Sequence, residues 1–401
     1  MAVRINAHTS LEGLSELVDF WKSHQWHPNA DWEFFQIIVK SRSNIQSPCV
    51  IEIREDEKLV AIAAGRIESD NLSIKFGYAR LLRPSIRQLV LIDGGQMGAW
   101  TPAYFSLLTE FLNYYLRKER LDCVLISQVK VGSPLQAALL AQPRVTAVRD
   151  TSLHWQMHLP EKWTDFLQSR SKKHRYWIKR LSNVLDRDFP AQWEMKVYSS
   201  SENVAFFLRS AEKIADTTYH RALGVGIKYN DEGVNRMTLE ARRQQLRGYL
   251  LFIKNEPRAF WYCTTYGRTL HLCTTGYDSS LRNYELGTVL LMKVFQDHCG
   301  TAITTVDFGL GEAGYKQRFG TDNYSETSYL MFSNAMRART LSAVSGTTIK
   351  MNIFAKRVLD KLKLTQGLKT FWRRKISGGP SQPPAAVASE SIPSPDAKDE
   401  G

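Results

Sequence analysis

Cysteine is scarce and scattered. The chain has five, Cys49, Cys123, Cys263, Cys273 and Cys299, with no Cys-x-x-Cys pair among them. That spacing excludes a disulfide framework and a zinc site built on paired cysteines, and no metal site is expected. Cys263 and Cys273 fall in apolar strand-like runs and read as buried free thiols. Long hydrophobic runs are missing too: none approaches the ~20 apolar residues needed to span a bilayer. The polar stretch from Met1 to Val18 lacks the apolar core of a signal peptide, so the expected location is the cytoplasm, extending to the inner face of the membrane. Acidic residues are in deficit, 40 against 53 lysines and arginines, for a net charge of +13. Such an excess calls for anionic partners: a phosphate-rich cofactor, nucleic acid or an acidic membrane face.

What is present is ample for packed cores. The chain has 401 residues, 43% hydrophobic and 11% aromatic, a length suited to two or three domains. Periodicity predicts helices over Leu11–Trp26, Asp31–Val39, Tyr104–Lys118 and Pro134–Leu140. It predicts strands over Cys49–Arg54, Leu59–Arg66, Gln88–Asp93, Cys123–Gln128 and Ser152–Leu159. This mixed order defines a first domain, residues 1–160. One long basic helix, Trp163–Arg187, is expected to link it, within residues 161–190, to a second domain, residues 191–333. There the elements repeat in similar order: strand Trp193–Tyr198, helices Asn203–Ile214 and Glu232–Arg247, then strands Tyr249–Ile253, Ala259–Tyr266 and Thr269–Thr275. Helix Leu286–His298 and strands Ile303–Phe308 and Tyr324–Phe332 complete it. The fold class expected is α/β (α+β), two tandem domains, each a mixed central sheet flanked by helices. From Asn334 to Ser377 eleven Lys/Arg stand against the single acid Asp360, with apolar residues at helical spacing. Residues 334–377 are therefore read as basic amphipathic helices, and the Pro-, Ser- and Ala-rich tail, residues 378–401, as disordered.

The chemistry concentrates in one stretch. Gly287 stands at a helix start, where unpaired N–H groups and the helix dipole favour an anion and a glycine admits a pyrophosphate. The plain alternative is an ordinary glycine in a first helical turn. After the next strand, four glycines interleave with Asp307, Glu312, Tyr315, Lys316 and Arg318. Asp307 or Glu312 would serve as a base, Tyr315 as an acid toward a leaving thiolate. Lys316 suits a phosphate or acidic substrate, or equally a salt bridge to Asp307 or Glu312. His220, before a Gly-Val-Gly run, is a candidate substrate-side group, with a structural histidine as the plainer reading. His271 alternates within its strand and faces either inward or into a cleft.

Together, Trp163-x-x-Phe166, the basic Ser169–Arg180 segment, Gly276-Tyr277-Asp278, Leu286-Gly287-Thr288 and Asp307-Phe308-Gly309-x-Gly311-x-x-x-Tyr315-Lys316 resemble the GNAT superfamily. The resemblance is closest to bacterial acetyltransferases associated with cellulose and exopolysaccharide synthesis. It implies two GNAT-like halves, the first degenerate, and acyl transfer from acetyl-CoA or another acyl-CoA, with the pantetheine arm between splayed strands. Arg282, Leu286, Gly287 and Thr288 would hold the cofactor. His220, Tyr277 and Asp278 would hold the acceptor, a sugar, polysaccharide or cell-envelope precursor. The family's phosphate signature is incomplete: Arg282 and Gly287 match its ends, but Glu285 replaces a glycine, and a carboxylate there repels a pyrophosphate unless it points away. The peptidoglycan-bridge aminoacyl transferases share the tandem layout and use aminoacyl-tRNA, the one nucleic acid kept as a partner. The exposed side of the Lys172–Arg180 segment suits tRNA or an anionic glycan, or is a solvated linker face. A non-catalytic binding module is the remaining alternative. Residues 334–377 would touch an anionic membrane or pack on the domain.

Overall fold

In the computed structural model, residues 2–76, 79–148, 151–216, 226–311 and 313–361 are described. Residues 1–353 form one compact unit and residues 354–401 a second. The strands are β1 (Val3–His8), β2 (Ile45–Glu55), β3 (Lys58–Asn71), β4 (Ile74–Phe76), β5 (Ala79–Leu82), β6 (Ser85–Gly98), β7 (Cys123–Lys130) and β8 (Val145–Ala147). They continue with β9 (Ser152–His158), β10 (Trp193–Tyr198), β11 (Leu246–Ile253), β12 (Glu256–Tyr266), β13 (Thr269–Tyr277), β14 (Thr305–Asp307) and β15 (Asp322–Phe332). The α-helices are α1 (Val18–His24), α2 (Trp32–Ser41), α3 (Pro102–Lys118), α4 (Pro134–Leu140), α5 (Trp163–Gln168), α6 (Lys172–Asp188), α7 (Val204–Asp216), α8 (Asp231–Arg242), α9 (Leu286–His298), α10 (Gly314–Phe319) and α11 (Met336–Lys361).

Local chemistry accounts for most boundaries. Thr101 and Ser133 cap α3 and α4, each followed by proline in the first turn. Asp31 caps α2 through the amides of Glu33 and Phe34. The expected basic helix Trp163–Arg187 is two helices instead. Ser171 accepts from the His174 amide and starts α6, so the chain breaks at Ser169–Ser171. Ile178, Leu181 and Leu185 form the buried side of α6, while Lys172, Arg175, Lys179 and Arg180 are exposed. The first predicted helix begins as a tight three-residue-per-turn helix, Glu12–Leu17, before α1.

The sheet does not stop at the predicted domain boundary. Among the described residues one thirteen-stranded sheet runs β1-β2-β3-β6-β7-β15-β9-β14-β13-β12-β11-β10, with β8 paired to β15. The halves exchange strands. β15, late in the chain, pairs with β7 from Glu326 to Phe332 and with β9 from Asp322 to Glu326. β9 in turn pairs with β14. On one side of the seam, α3 and α4 cover a core that includes Leu112, Val124 and Met331. On the other, α6 and α9 cover one that includes Leu185, Trp261 and Phe295. Polar ties reinforce the junction: Arg42 donates to Glu232 at 2.7 and 2.8 Å, and Arg243 to Asp31 at 2.6 Å.

Phe332, fully buried at the β7 end of the shared strand, tests this arrangement. Phe332→Ala is expected to cost about 3–5 kcal/mol in urea unfolding. Because β15 belongs to both halves, the transitions followed by near- and far-ultraviolet circular dichroism should stay coincident in the variant.

Candidate functional site

The site starts where two parallel strands part. β13 and β14 are paired only through Thr269–His271 and Thr305–Asp307. β14 ends there, while β13 continues to Tyr277. Beyond His271 the inner edge of β13 has no strand beside it among the described residues, and the gap opens into a cavity of about 810 Å³. Leu272–Thr275 of β13 and Phe308–Leu310 after β14 form one wall; Asp93, Gln128 and His154 come from the other half of the sheet.

At the opposite end of the splay is the start of α9. Glu285 adopts a left-handed conformation (φ 49°), which turns the chain sharply into the helix. No side chain caps it. Thr288 and Val289 donate to the Glu285 carbonyl, and the Leu286 and Gly287 amides have no acceptor among the described residues. Leu286 is fully buried, and the Gly287 carbonyl accepts from the Trp261 indole at 2.8 Å, which fixes the first turn. A Cβ on Gly287 would meet only Tyr277 Cδ1, at 3.6 Å, so the approach to these amides is open and the fold itself does not demand glycine. The Glu285 carboxylate is tied by Trp177 Nε1 at 3.3 Å and Arg318 at 3.7 Å. Arg282 is exposed, with no side-chain partner among the described residues. Asp278 caps the turn Ser279–Tyr284 through Ser280 and pairs with Arg258 at 2.7 Å. Burial raises its pKa, but these bonds outweigh burial and hold the carboxyl below its usual range. Neither Tyr277 nor Asp278 lines the cavity.

The acid–base end contains groups that the sequence did not single out. His154 on β9 lies between two carboxylates: Nε2 to Asp307 at 2.9 Å and Nδ1 to Glu326 at 3.1 Å. Tyr324 stacks on its ring at 4.7 Å. Burial alone would lower the His154 pKa; the two carboxylates reverse this and raise it to about 9. At neutral pH it is an imidazolium donating through both nitrogens. Asp307 is buried, which favours its neutral form, yet His154 and the Gly309 amide hold it well below the usual carboxylate range. Asp307 is thus a poor proton acceptor, contrary to the role expected of it.

Asp93 has the opposite character. Burial, then the nearby Asp307 and Glu326 charges, raise its pKa to about 6. Its Oδ2 is 3.4 Å from His27 Nε2. The His27 Nδ1 accepts from the Asn29 amide at 3.2 Å, so neutral His27 carries its proton on Nε2, facing Asp93. His27 packs edge-on against His271, with ring centroids 5.0 Å apart. Burial lowers both histidines to about 4, leaving them uncharged at neutral pH. His271 lines the cavity, which settles which way it faces.

Tyr315 also lines the cavity, packed against Trp261 and Phe308. Burial raises its pKa, so it keeps its proton. Lys316 forms no ion pair with Asp307; the other expected partner, Glu312, lies outside the described residues. Its Nζ, 3% exposed as a residue, donates to the carbonyls of Gly309 at 2.8 Å and Leu310 at 2.7 Å and so shapes the loop. Burial lowers its pKa to about 8. Arg236 is held by Glu240 at 3.0 Å and lies over the Phe34 ring at 4.4 Å, at the cavity wall. Glu312 and His220 lie outside the described residues. The structure therefore brings Asp307, Tyr315 and Lys316 to one cavity and leaves Arg282, Leu286, Gly287 and Thr288 at the helix start. It adds His27, Asp93 and His154 at the cavity, with Glu326 held by His154. For the strand residues among these the legible signal was a charged or imidazole residue at an inward strand position, as His154 is between apolar neighbours in β9; His27 instead caps the short turn Pro28–Ala30.

Residues 172–317 match the family model described as an acetyltransferase (GNAT) domain. Among solved structures, the chain is similar to FemX, at 13% identity over 85% of this chain and 100% of that one, with a TM-score of 0.50. It is also similar to L-PGS from Bacillus licheniformis, at 12% identity over 82% and 96%, TM-score 0.47. A tandem GNAT protein from the clavulanic acid biosynthesis pathway is similar at 9% identity over 83% and 99%, TM-score 0.47. At such identities the FemX likeness speaks to the fold alone. No curated protein sequence matches the chain.

The clamp on His154 gives a pH signature. Folded His154 binds its proton more tightly than unfolded histidine, so its contribution to stability is complete below about 6.5 and lost as pH rises through about 9. Wild-type stability should fall over that range by on the order of 1–3 kcal/mol. His154→Gln should flatten this limb in chemical unfolding measured at a series of pH values.

Proposed function

We propose, from the match of residues 172–317 to an acetyltransferase (GNAT) domain model, that the protein transfers an acyl group from acetyl-CoA or a related acyl-CoA. The acceptor proposed is an amine or hydroxyl of a sugar, polysaccharide or cell-envelope precursor, as the resemblance to the exopolysaccharide-associated acetyltransferases implies. The observation that carries this reading is the parting of β13 and β14. The cavity it opens is lined by Asp93, Tyr315 and Trp261, and Trp261 donates to the Gly287 carbonyl at the uncapped start of α9. The residues fit the cofactor. The Leu286 and Gly287 amides and exposed Arg282 suit its phosphates, the unpaired edge of β13 suits its amide-bearing arm, and Glu285 is tied elsewhere. When bound, acyl-CoA would supply an activated thioester carbonyl.

The chain's own groups divide the proton chemistry. Asp93, ionised at neutral pH with a pKa near 6, takes a proton from the acceptor's amine or hydroxyl. His27 stands beside it, with Nε2 3.4 Å from Oδ2. Tyr315 holds its proton through neutral pH and gives it to the departing sulfur. The His154 clamp fixes the loop from Asp307 onward: it positions rather than reacts. Both halves of the sheet therefore supply groups to one reaction, with Asp93 and His27 coming from the half expected to be degenerate.

A second reading, transfer from aminoacyl-tRNA, draws on the exposed Lys172, Arg175, Tyr176, Lys179 and Arg180 of α6. Co-purified RNA, seen as an elevated ratio of absorbance at 260 to 280 nm and removed by ribonuclease, would favour it over acyl-CoA.

Two variants test the first reading. Gly287→Trp should fold with wild-type stability within about 0.5 kcal/mol and lose acetyl-CoA binding in calorimetry. Retained binding would refute the phosphate seat. For Asp93, kcat/KM should decline below about pH 6 as the carboxylate is protonated. Asp93→Asn should remove that limb and lower kcat by roughly 10²–10⁴-fold, with acetyl-CoA affinity unchanged.

A further inference from the structure

Between β3 and β6 the chain leaves the main sheet as a separate two-stranded hairpin, β4 and β5. Its base is closed by the Leu72 amide donating to the Pro84 carbonyl at 2.9 Å. Ile74 is buried, and Leu72 packs against the cluster of Ile86, Cys123, Leu330 and Phe332. The hairpin is thus rooted in the core. Above the root its large apolar side chains are turned to solvent: Phe76 is 40% exposed, Leu81 55% and Leu82 53%. Leu82 pairs with Ile74 and Arg80 with Lys75, so Leu81 is the extra residue of a bulge, and both leucines are more than half exposed. What favours a lipid surface over a protein groove is the charge around these side chains.

The charges nearby have one sign. Lys75 and Arg83 are exposed and have no carboxylate partner among the described residues. α11 is bound to the same region at two places, Arg337 in its first turn and Asn352 further along. Asn352 Nδ2 donates to the Lys75 carbonyl at 2.6 Å, and Arg337 pairs with Asp122 at 3.3 Å and donates to the Ser85 carbonyl. Beside Asn352 stand exposed Lys350 and Met351, the latter 52% exposed. The acid closest in sequence, Asp70, lies behind the root at the end of β3. Exposed aliphatic and aromatic residues ringed by lysine and arginine are the composition of an interfacial anchor on anionic lipid.

We propose that the β4–β5 hairpin is a membrane-docking element. Phe76, Leu81 and Leu82 enter the boundary between headgroups and acyl chains of an anionic bilayer, while Lys75, Arg83 and Lys350 face lipid phosphates. This assignment stands apart from the acyl-transfer reading, since none of these residues lines the cavity. It would bring the enzyme to acceptors that are held at a membrane.

The test uses the full chain and vesicles of phosphatidylcholine with or without 30% phosphatidylglycerol. Wild type is expected to float with the anionic vesicles and not the neutral ones. Leu81→Ser/Leu82→Ser should bind at least tenfold more weakly, with its thermal melt and acetyl-CoA binding unchanged. Because the sequence beyond residue 353 is also basic, a second measurement isolates the hairpin. p-Benzoylphenylalanine in place of Phe76 should photocrosslink to phospholipid in the presence of anionic vesicles, read as a lipid mass on the peptide containing position 76. Unaltered flotation of the double variant, a crosslink to a second copy of the chain, or no lipid crosslink despite flotation would each overturn the assignment.

Discussion

A buried histidine held between two carboxylates occupies the seam on which the sheet depends. His154 lies on β9, Asp307 ends β14, and Glu326 is the residue at which β15 leaves β9 for β7. Three strands that are distant in sequence are fixed to one imidazolium. Backbone pairing alone sets their spacing; the clamp adds a polar contact that only the correct register can satisfy, since a one-residue slip would turn His154 away from both partners. Burial makes this exacting. Asp307 and Glu326 are 9% and 1% exposed, and leaving either without its cation would place an uncompensated charge in the interior.

The same clamp separates the roles of neighbouring carboxylates. Asp307 and Asp93 are near enough to influence one another, and their environments drive their proton affinities apart. The one paired with His154 stays ionised and inert. The other, facing a histidine that burial keeps neutral, stays poised near physiological pH. Charge placed for architecture in one half thereby shifts the proton affinity of a carboxylate contributed by the other.

Much of the fold was legible in the sequence where local rules decide. Pro134–Leu140, Trp193–Tyr198 and Leu286–His298 have the limits that capping, alternation and helical periodicity indicate. The break at Ser169–Ser171 was hidden because apolar spacing continues across it, and only the serine cap interrupts the backbone. The short β1, with one fairly exposed face, offered no strong alternation. In the site, Gly287, Asp307 and Tyr315 were found through a dense glycine-bearing stretch. Asp93, His154 and Glu326 were not, because alternation tells which face of a strand a residue occupies and not which strand lies beside it; His27, capping the turn Pro28–Ala30, offers no alternation at all. His154 meets partners 153 and 172 positions away. Lys316 was noticed for its charge, whereas the structure uses its reach, to hold two carbonyls.

The exchange of β15 has a consequence for how the molecule is made. Until Phe332 has emerged from the ribosome, β7 has no neighbour on the β15 side, and its edge of unpaired amides and carbonyls is open. An uncovered edge is a template for pairing with other chains. The first half thus spends the synthesis of about two hundred residues waiting for its last neighbour. Slow completion of the sheet, and a need for protection of that edge in the interval, follow from its connectivity. The halves are also inseparable in inheritance: a deletion or exchange that breaks between them removes a central strand from each.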